Sequence, residues 1–202
     1  MGVIHERIRR GIPGFPLGFY NQARKREGIC ITPLHYHNDL EFILPLKGTA
    51  RLLLNGETHF IQAGVLCAYH AGVPHALYAG SSDTHYLCLV IPKELLLLDP
   101  ENTMQQQLIE PLYTGTLQLA LTTQEDRIIS LVQEISALCK DIQKNKYFLT
   151  AMLFQLLALY EHKGLICQSK APVPSPVHAA ISYMERNLSE HIDLQGISRY
   201  ES

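Results

Sequence analysis

Two histidines and a glutamate lie close together in the stretch LHYHNDLEFILPLKG, which spans residues 34–48. On a β-strand, His35 and His37 would share one face with their Cα atoms about 6.6 Å apart, so both imidazoles could reach one ion. Glu41 has the same parity but would lie about 13 Å beyond His37 on a straight strand. The turn-forming pair Asn38 and Asp39 allows the chain to fold back and would return Glu41 to the histidines.

A fourth residue, His75, follows the turn sequence GVP at residues 72–74. Three imidazoles and one carboxylate are donors that suit Zn, Ni, Mn, Fe or Co and leave positions open for a ligand. The same side chains could instead form the polar floor of a pocket without metal, satisfied by neighbouring strands and water. The residue types therefore predict a binding site and leave its occupant open.

The segments that must position these side chains have the pattern of a small β-sandwich or barrel. Between residues 29 and 92, short apolar runs alternate with turn sequences. Asn55 and Gly56 supply the two positive φ angles of a type I′ turn, which predicts a hairpin in LLLNGETHF. We therefore predict a fold that is mainly β with α, and we assign the barrel to residues 29–99.

A helical segment is predicted at residues 100–165, where the apolar period changes to about 3.6. Its second helix ends at Gly164, a residue typical of the position after a helix C-terminus. The first helix carries an apolar seam with alternating spacings of four and three, formed by Ile128, Val132, Ile135, Cys139 and Ile142. The seam could pack on the chain's own barrel or face a second subunit. We predict a homodimer formed through the helices of residues 123–163.

The two ends of the chain have a different character. Residues 1–28 are punctuated by Gly and Pro and are predicted to be an irregular arm, either solvated or acting as a lid or contact segment. Residues 166–176 contain closely spaced prolines, which stiffen the chain and prevent a helix, and are predicted to be a linker. Residues 177–202 are predicted to begin with one amphipathic helix.

Composition excludes several classes of protein. There are 17 Lys and Arg against 19 Asp and Glu, so the net charge of -2 predicts no strong affinity for nucleic acid or membrane surfaces. No apolar run approaches the ~20 residues that span a bilayer, and the N-terminus lacks the apolar core of a secretory signal. The five cysteines include no C-x-x-C pair, which is typical of reduced thiols and favours a cytoplasmic location.

The histidine stretch resembles the first motif of the cupin superfamily, H-x-H-x-x-x-E-x-x-x-x-x-x-G, at His35, His37, Glu41 and Gly48. The second cupin motif is recognisable in GVLCAYHAGVPHALYA, where Gly64, Gly72 and His75 match. His70 stands in place of the usual proline, and Ala79 in place of the closing asparagine. The resemblance implies a cupin-like barrel, that is, a double-stranded β-helix or jelly roll.

The order of segments resembles the AraC family of transcription regulators. This implies a cupin-like sensor barrel at 29–99, a helical dimerisation segment at 100–165, a linker at 166–176, and an incomplete AraC-type helix-turn-helix domain at 177–202. It also implies that the barrel binds a small-molecule effector and that no residue is catalytic. The implied ligand-binding residues are His35, His37, Glu41, His75 and His85.

Three alternatives accompany this resemblance. No cofactor is required, although His35, His37, Glu41 and His75 could hold Zn, Ni, Mn or Fe. His85 belongs to a strand that the resemblance places along the pocket, but it could instead be an outward-facing edge residue. The alternative function is that of a metal-dependent cupin enzyme, such as a dioxygenase or isomerase, which would use the same four ligands.

Members of the AraC family reach DNA through a recognition helix beyond the first helix of this last domain. From residue 177 onward the sequence contains two Arg, three Glu and one Asp, a net charge of -2. Such a segment lacks the basic residues that neutralise phosphates. We therefore expect DNA binding only through the missing C-terminal domain and none that is specific by this chain alone.

Overall fold

The computed structural model describes residues 4–6 and 8–169 of the chain. The N-terminal half is β-structure and the later part is helical. The strands are β1 Ile4–His5, β2 Gly18–Ala23, β3 Cys30–Tyr36, β4 Leu40–Lys47, β5 Thr49–Leu54, β6 Glu57–Gln62, β7 Leu66–Tyr69, β8 His75–Ala79, β9 His85–Ile91, β10 Leu117–Leu119, β11 Thr122–Thr123 and β12 Ile166–Gln168. The α-helices are α1 Glu110–Thr114, α2 Asp126–Leu138 and α3 Ile142–His162.

Two five-stranded sheets form the barrel. The front sheet has the strand order β1-β3-β8-β5-β6, and the back sheet has the order β11-β7-β4-β9-β2. Most neighbouring strands pair antiparallel, whereas β1 pairs parallel with β3. The predicted hairpin is confirmed, since β5 and β6 are joined at Asn55 and Gly56 with φ angles of 49° and 86°.

The back sheet has two buried faces. Because side chains alternate along a strand, Ile43 on β4 points into the barrel interior, whereas Phe42 points to the opposite face. The interior cluster joins both sheets and includes Leu52, Leu77 and Val90. The opposite face carries a second apolar cluster shared with the helices. Strands buried on both faces explain why the sequence of β4 and β9 is apolar almost throughout.

The helical layer packs on this outer face of the back sheet. Tyr160 of α3 is fully buried, and its ring meets that of Phe42 edge-on with centroids 5.8 Å apart. Helix α3 ends at His162, and Gly164 follows with a φ of 65°, as predicted. Among the described residues, no helix has both the length and the apolar character that a bilayer crossing needs.

The apolar seam of α2 faces the chain's own core. Ile128, Val132, Ile135 and Cys139 are at most 7% exposed and belong to the cluster between the helices and the back sheet, and Ile142 packs against it. The expectation that this seam faces a second subunit is wrong, because the back sheet and α3 already cover it. Homodimerisation itself stays a prediction.

The N-terminal segment contributes to both sheets. Strand β2 pairs with β9 along its whole length, from Gly18 opposite Val90 to Ala23 opposite His85. The expectation of an irregular arm is therefore wrong for residues 18–23, because the free edge of β9 offers them a complete set of backbone partners. The expectation failed because pairing with a strand so distant in sequence leaves no local pattern.

The C-terminal predictions are tested only at their beginning. The predicted linker starts at residue 166, but Ile166–Gln168 form β12, which pairs antiparallel with β10. The rest of the predicted linker and the predicted helix-turn-helix segment, residues 170–202, lie outside the described residues.

Candidate functional site

Four of the predicted residues meet in the barrel interior. His35 on β3 lies opposite His75 on β8 in the strand register. His37 follows β3 directly, and Glu41 lies on β4. The candidate ligand atoms of the three histidines all lie within 4.8 Å of one another. The four side chains are 2–7% exposed as residues, so the structure brings together the set that the sequence predicted, while its role in binding stays a prediction.

Two adjacent turns produce this convergence. The Asp39 amide donates to His37 Nδ1 at 3.3 Å, which holds the turn that returns Glu41 to the histidines. The Gly72 amide donates to the His37 carbonyl at 2.7 Å, which joins the loop before His75 to the loop after His37. Gly72 has a φ of 82°, a conformation that favours glycine. The turns inferred from the sequence thus position two of the four side chains.

Backbone carbonyls fix the protons of two histidines. His35 Nδ1 lies 2.9 Å from the Pro33 carbonyl, and His75 Nδ1 lies 2.7 Å from the Val73 carbonyl. Because a carbonyl can only accept, each Nδ1 carries a hydrogen, and in the neutral ring each Nε2 presents a lone pair. His75 Nε2 is buried and has no hydrogen-bond partner, since its 3.3 Å contact with Glu41 Oε2 lacks the geometry of a hydrogen bond.

His37 has the opposite tautomer. Its Nδ1 accepts from the Asp39 amide, so its Nε2 carries the hydrogen and donates to Glu41 Oε2 at 2.9 Å. The Cys88 thiol donates to the other oxygen, Oε1, at 3.2 Å. Burial alone would raise the pKa of Glu41, but the contacts with His37 and His75 hold this pKa well below its ordinary value. Glu41 is therefore an ionised carboxylate that accepts hydrogen bonds from His37 and Cys88.

Burial sets the ionisation of the other groups. Burial and, after it, the neighbouring His75 together lower the pKa of His35 to about 4, so His35 is neutral at neutral pH. Burial raises the pKa of Cys67 to about 12 and that of Cys88 well above its ordinary range, with Glu41 adding to both shifts. Both thiols are protonated at neutral pH and are poor nucleophiles, because the thiolate is the reactive form.

The cluster fits a divalent transition metal after one rearrangement. His35 and His75 already present Nε2 lone pairs, each with its Nδ1 hydrogen held by a carbonyl, as in many metal-ligating histidines. The orphaned Nε2 of His75 is the kind of atom that a metal would satisfy. His37 would have to move its proton to Nδ1, which would break the hydrogen bond from the Asp39 amide and turn the Nδ1 hydrogen toward Asp39 Oδ2, 3.7 Å away. Glu41 would supply a carboxylate oxygen as the fourth donor.

A cavity of about 260 Å³ opens beside the cluster. His35 and Glu41 form part of its wall, and Ile31, Leu77, Cys88 and Val90 supply apolar surface. Most of the remaining wall is polar and includes residues that the sequence analysis did not single out. These are Glu6, Arg10, Tyr20, Gln22, Arg24, Thr32 and Tyr86.

The N-terminal segment closes the cavity near the cluster. Arg10 forms ion pairs with Glu6 and, at 3.1 Å, with Asp39, and all three side chains are at most 19% exposed. Glu6 Oε2 also lies 3.7 Å from His35 Nε2. Gly18 makes room for this arrangement, since a Cβ there would lie 2.5 Å from Arg10 Cδ and 2.9 Å from Val90 Cβ. The cluster of basic residues before position 28 was the available signal, but it does not reveal which of them turns inward.

His85 does not join the cluster. Its Nε2 contacts Asn21 Oδ1 at 2.7 Å at the edge of the back sheet. On β9, Tyr86, Cys88 and Val90 face the interior, so His85 has the opposite parity. The expectation that His85 lines the pocket is wrong. Its side chain faces away from the interior, as the alternative had it, although β9 pairs on both sides and is not an edge strand.

Comparison with known proteins supports the fold. Residues 27–91 match the family model described as Cupin domain. No curated protein has a sequence that matches this chain. A variant of oxalate decarboxylase from Bacillus subtilis is 24% identical over 39% of this chain, with a TM-score of 0.34, and the match spans only 22% of that protein's chain.

Solved structures of ToxT from Vibrio cholerae match nearly the whole chain. The apo form covers 95% of this chain and 71% of its own, with a TM-score of 0.54 and 14% identity. The form with bound unsaturated fatty acid covers 95% and 70%, with a TM-score of 0.52 and 13% identity. At this identity the likeness concerns the fold. The barrel of this chain therefore has the fold of a cupin domain, which the family model matches at residues 27–91, and helices pack against one of its two sheets.

Proposed function

We propose that this chain is the ligand-sensing and dimerisation part of a transcription regulator of the AraC family, with a small-molecule effector bound in the cupin barrel. It acts by binding and not by catalysis. In a regulator of this family, DNA is contacted through a helix-turn-helix domain. The proposal joins the order of motifs in the sequence to the fold that the chain shares with ToxT.

The observation that carries the proposal is that one face of the back sheet lines the cavity while the other face packs on the helices. On β4 and β9, Glu41, Cys88 and Val90 face the cavity, while the alternate residues Phe42 and Leu89 belong to the cluster that packs on the helices. A ligand that shifts these strands changes the packing of α3 on the opposite face. Since close-packed cores respond to small displacements, binding is communicated without a hinge.

The occupant of the cavity is a small organic molecule. ToxT has been solved with an unsaturated fatty acid bound, which supports the idea that this fold receives an organic ligand. In this chain the cavity has apolar surface, polar groups at its wall and a buried carboxylate, the combination by which pockets fix a ligand's orientation.

A second copy of the chain pairs through the outer face of α3. Tyr147 and Phe148 are 79% and 71% exposed, which is unusual for large aromatic side chains on a helix that is otherwise well packed. Ala151, Gln155 and Ala158 continue the same exposed face at helical spacing. Aromatic residues beside small ones allow a second helix to approach closely.

The alternative is a metal-dependent cupin enzyme, and the histidine cluster is the observation that favours it. A metal held by His35, His37, His75 and Glu41 would supply a Lewis acid beside the cavity. The protonated thiols of Cys67 and Cys88 offer no nucleophile for a metal-free reaction. In the sensor, the same cluster acts as a polar wall or as a metal-assisted binding site.

A thermal-shift screen across sugars, organic acids and lipids tests the proposal. We expect at least one compound to raise the melting temperature of the 202-residue chain. Thr32→Trp, which fills the cavity from its wall, should abolish the shift, whereas Thr58→Trp on an exposed position of β6 should not. The compound should be recovered unchanged after prolonged incubation with the protein. Its conversion to a product would favour the enzyme.

A further inference from the structure

We propose that the cavity selects a short organic acid, with its carboxylate held at Arg24 and a second, uncharged oxygen function directed to the histidine cluster. This inference rests on the proposed function and names the chemical class of the effector. It depends on the polarity of the two ends of the cavity and on the charge that each end leaves uncompensated.

The cavity has two ends that lie far apart along the back sheet. Gln22 lies opposite Tyr86, whereas Glu41 lies opposite Val90, four residues further along β9. Four residues of a strand correspond to about 13 Å. Arg24 lies two residues after Gln22 and is anchored by its backbone amide, which donates to the Thr84 carbonyl at 2.7 Å. One end of the cavity is therefore built from a guanidinium, an amide and a phenol, and the other from imidazoles and a carboxylate.

The cation near the histidines is already neutralised. Arg10 is the positive group there, since its aliphatic stem packs over Gly18, opposite Val90. Its guanidinium pairs with the carboxylates of Glu6 and Asp39. Glu41 adds a further carboxylate at this end. An anionic group of a ligand would be repelled here, whereas an uncharged hydroxyl or carbonyl oxygen could contact the imidazoles.

The cation at the opposite end is not neutralised. Arg24 is half-buried and donates to the Gln22 side chain and, at 3.1 Å, to the Ala23 carbonyl. Within the described part of the chain, no carboxylate lies within 4.0 Å of its guanidinium. A guanidinium has five N–H donors in a planar fork that matches a carboxylate, so donors remain for a ligand. Tyr86, whose hydroxyl also contacts Gln22 at 3.3 Å, adds a phenol to this end.

The size of the cavity and its far wall exclude a long acyl chain. Its volume of about 260 Å³ is below the range of ~300–1,000 Å³ that is typical of pockets for drug-sized ligands. An acyl chain anchored at Arg24 would press its methyl end against Glu41 and His35. Covering those polar groups with hydrocarbon would remove their solvation without replacing it. A short acid with a terminal oxygen satisfies both ends.

The test is calorimetric titration of the 202-residue chain with a defined panel. The panel consists of linear ω-hydroxy acids from glycolate to 8-hydroxyoctanoate, the neutral amide of each acid, and oleate. We expect at least one hydroxy acid to bind, its amide to bind at least about tenfold more weakly, and oleate not to bind. The difference reflects the loss of a charge-assisted contact.

Three variants assign the contact to Arg24. Arg24→Gln should weaken binding of the hydroxy acid about tenfold or more and leave the affinity for the corresponding neutral amide unchanged. Arg24→Lys should restore part of the affinity, because it keeps the charge but not the fork. Arg26→Gln, an exposed neighbour of like charge, should bind as the unaltered chain does.

Equal binding of acid and amide, or undiminished binding by Arg24→Gln, would overturn the inference. Binding of oleate without any hydroxy acid would also overturn it, but would leave the proposed sensor function standing. Failure of every compound class in the thermal-shift screen, by contrast, would count against the proposed function itself.

Discussion

The properties of the site depend first on where single protons reside. Carbonyl acceptors hold the hydrogens of His35 and His75 on Nδ1, and Glu41 accepts the Nε2 hydrogen of His37. Each of these ring hydrogens has an acceptor, and this satisfies the buried donors of the cluster. Changes that add protons to this cluster should therefore weaken the folded state.

We predict that acid destabilises the metal-free protein through His35. Its pKa is about 4 in the folded chain against 6.5 for an ordinary histidine, so the unfolded chain binds the proton first. The stabilisation is complete above pH 6.5 and is lost as the pH falls toward 4, by at most roughly 3 kcal/mol. Urea unfolding of EDTA-treated protein between pH 6.5 and 4 measures this loss of stability.

Two variants isolate the contribution of His35. His35→Asn should show a shallower decrease in the free energy of unfolding between pH 6.5 and 4, since the titrating group is gone. His59→Asn, whose ring lies outside the cluster, should follow the unaltered protein. A slope that is the same in all three proteins would show that other groups dominate acid unfolding.

A second residue-scale prediction concerns metal. Zn²⁺ or Mn²⁺ should raise the melting temperature of the chain, because binding to the folded cluster is coupled to folding. His75→Ala should abolish this shift, since it removes the buried Nε2 that lacks a hydrogen-bond partner. His85→Ala is the matched control and should keep it. Retention of the shift by His75→Ala would mean that the ion binds elsewhere.

The sequence contained enough information to assemble the cluster but not its surroundings. Strand parity pairs His35 with His37, and turn residues return Glu41 and His75, so local rules suffice. The orientation of His85 was predicted incorrectly because the residues after it are apolar on both faces of the strand. Such a strand shows no alternation that would indicate which side chains face the interior. Arg10 and Arg24 reach the cavity through contacts with strands distant in sequence, and no local pattern encodes them.

At the scale of elements, the same logic applies to the helices. The seam of α2 has the spacing of a helix interface, but spacing does not identify the partner, which is the chain's own α3 and back sheet. Periodicity predicts that a face is buried and leaves open whether a second subunit or the chain itself buries it. The exposed aromatic residues of α3 carry no such period and are recognised only in the structure.

We predict that Ile135→Ala destabilises the fold and leaves the oligomeric state unchanged. Ile135 is fully buried in the core beneath the helices, and removing its side chain leaves a cavity that costs about 2–5 kcal/mol. Denaturant unfolding gives the stability, and light scattering gives the mass. A fall in the mass of the particle without loss of unfolding stability would show that the seam forms a subunit interface.

The dimer should instead depend on α3. Replacing Tyr147 and Phe148 together by Ser should convert a dimer to a monomer in light scattering, with little change in the stability of the monomer because both side chains are largely exposed. Phe60→Ser removes an aromatic residue of similar exposure from β6 and serves as the control. An unchanged mass for the double variant would exclude this face as the interface.

At the scale of the whole molecule, the back sheet is a shared wall between the cavity and the helices. One face of β4 and β9 contributes to the cavity, and the other supports α3, which carries the proposed subunit contact. A ligand can therefore influence the pairing of two chains only by changing how the helices pack on the back sheet. This coupling is the central claim, and it separates a sensor from a barrel that merely holds a molecule.

Hydrogen exchange of the 202-residue chain tests this claim most directly. The ligand is the compound that gives the largest stabilisation in the thermal-shift screen, added at saturation to the unaltered chain and to Thr32→Trp. We predict slower exchange in Leu40–Lys47, in His85–Ile91 and also in α3, Ile142–His162, because occupation of the cavity stabilises the sheet on which α3 packs. Thr32→Trp should show none of these changes. Protection confined to the strands, with α3 exchanging at the same rate with and without ligand, would contradict the account.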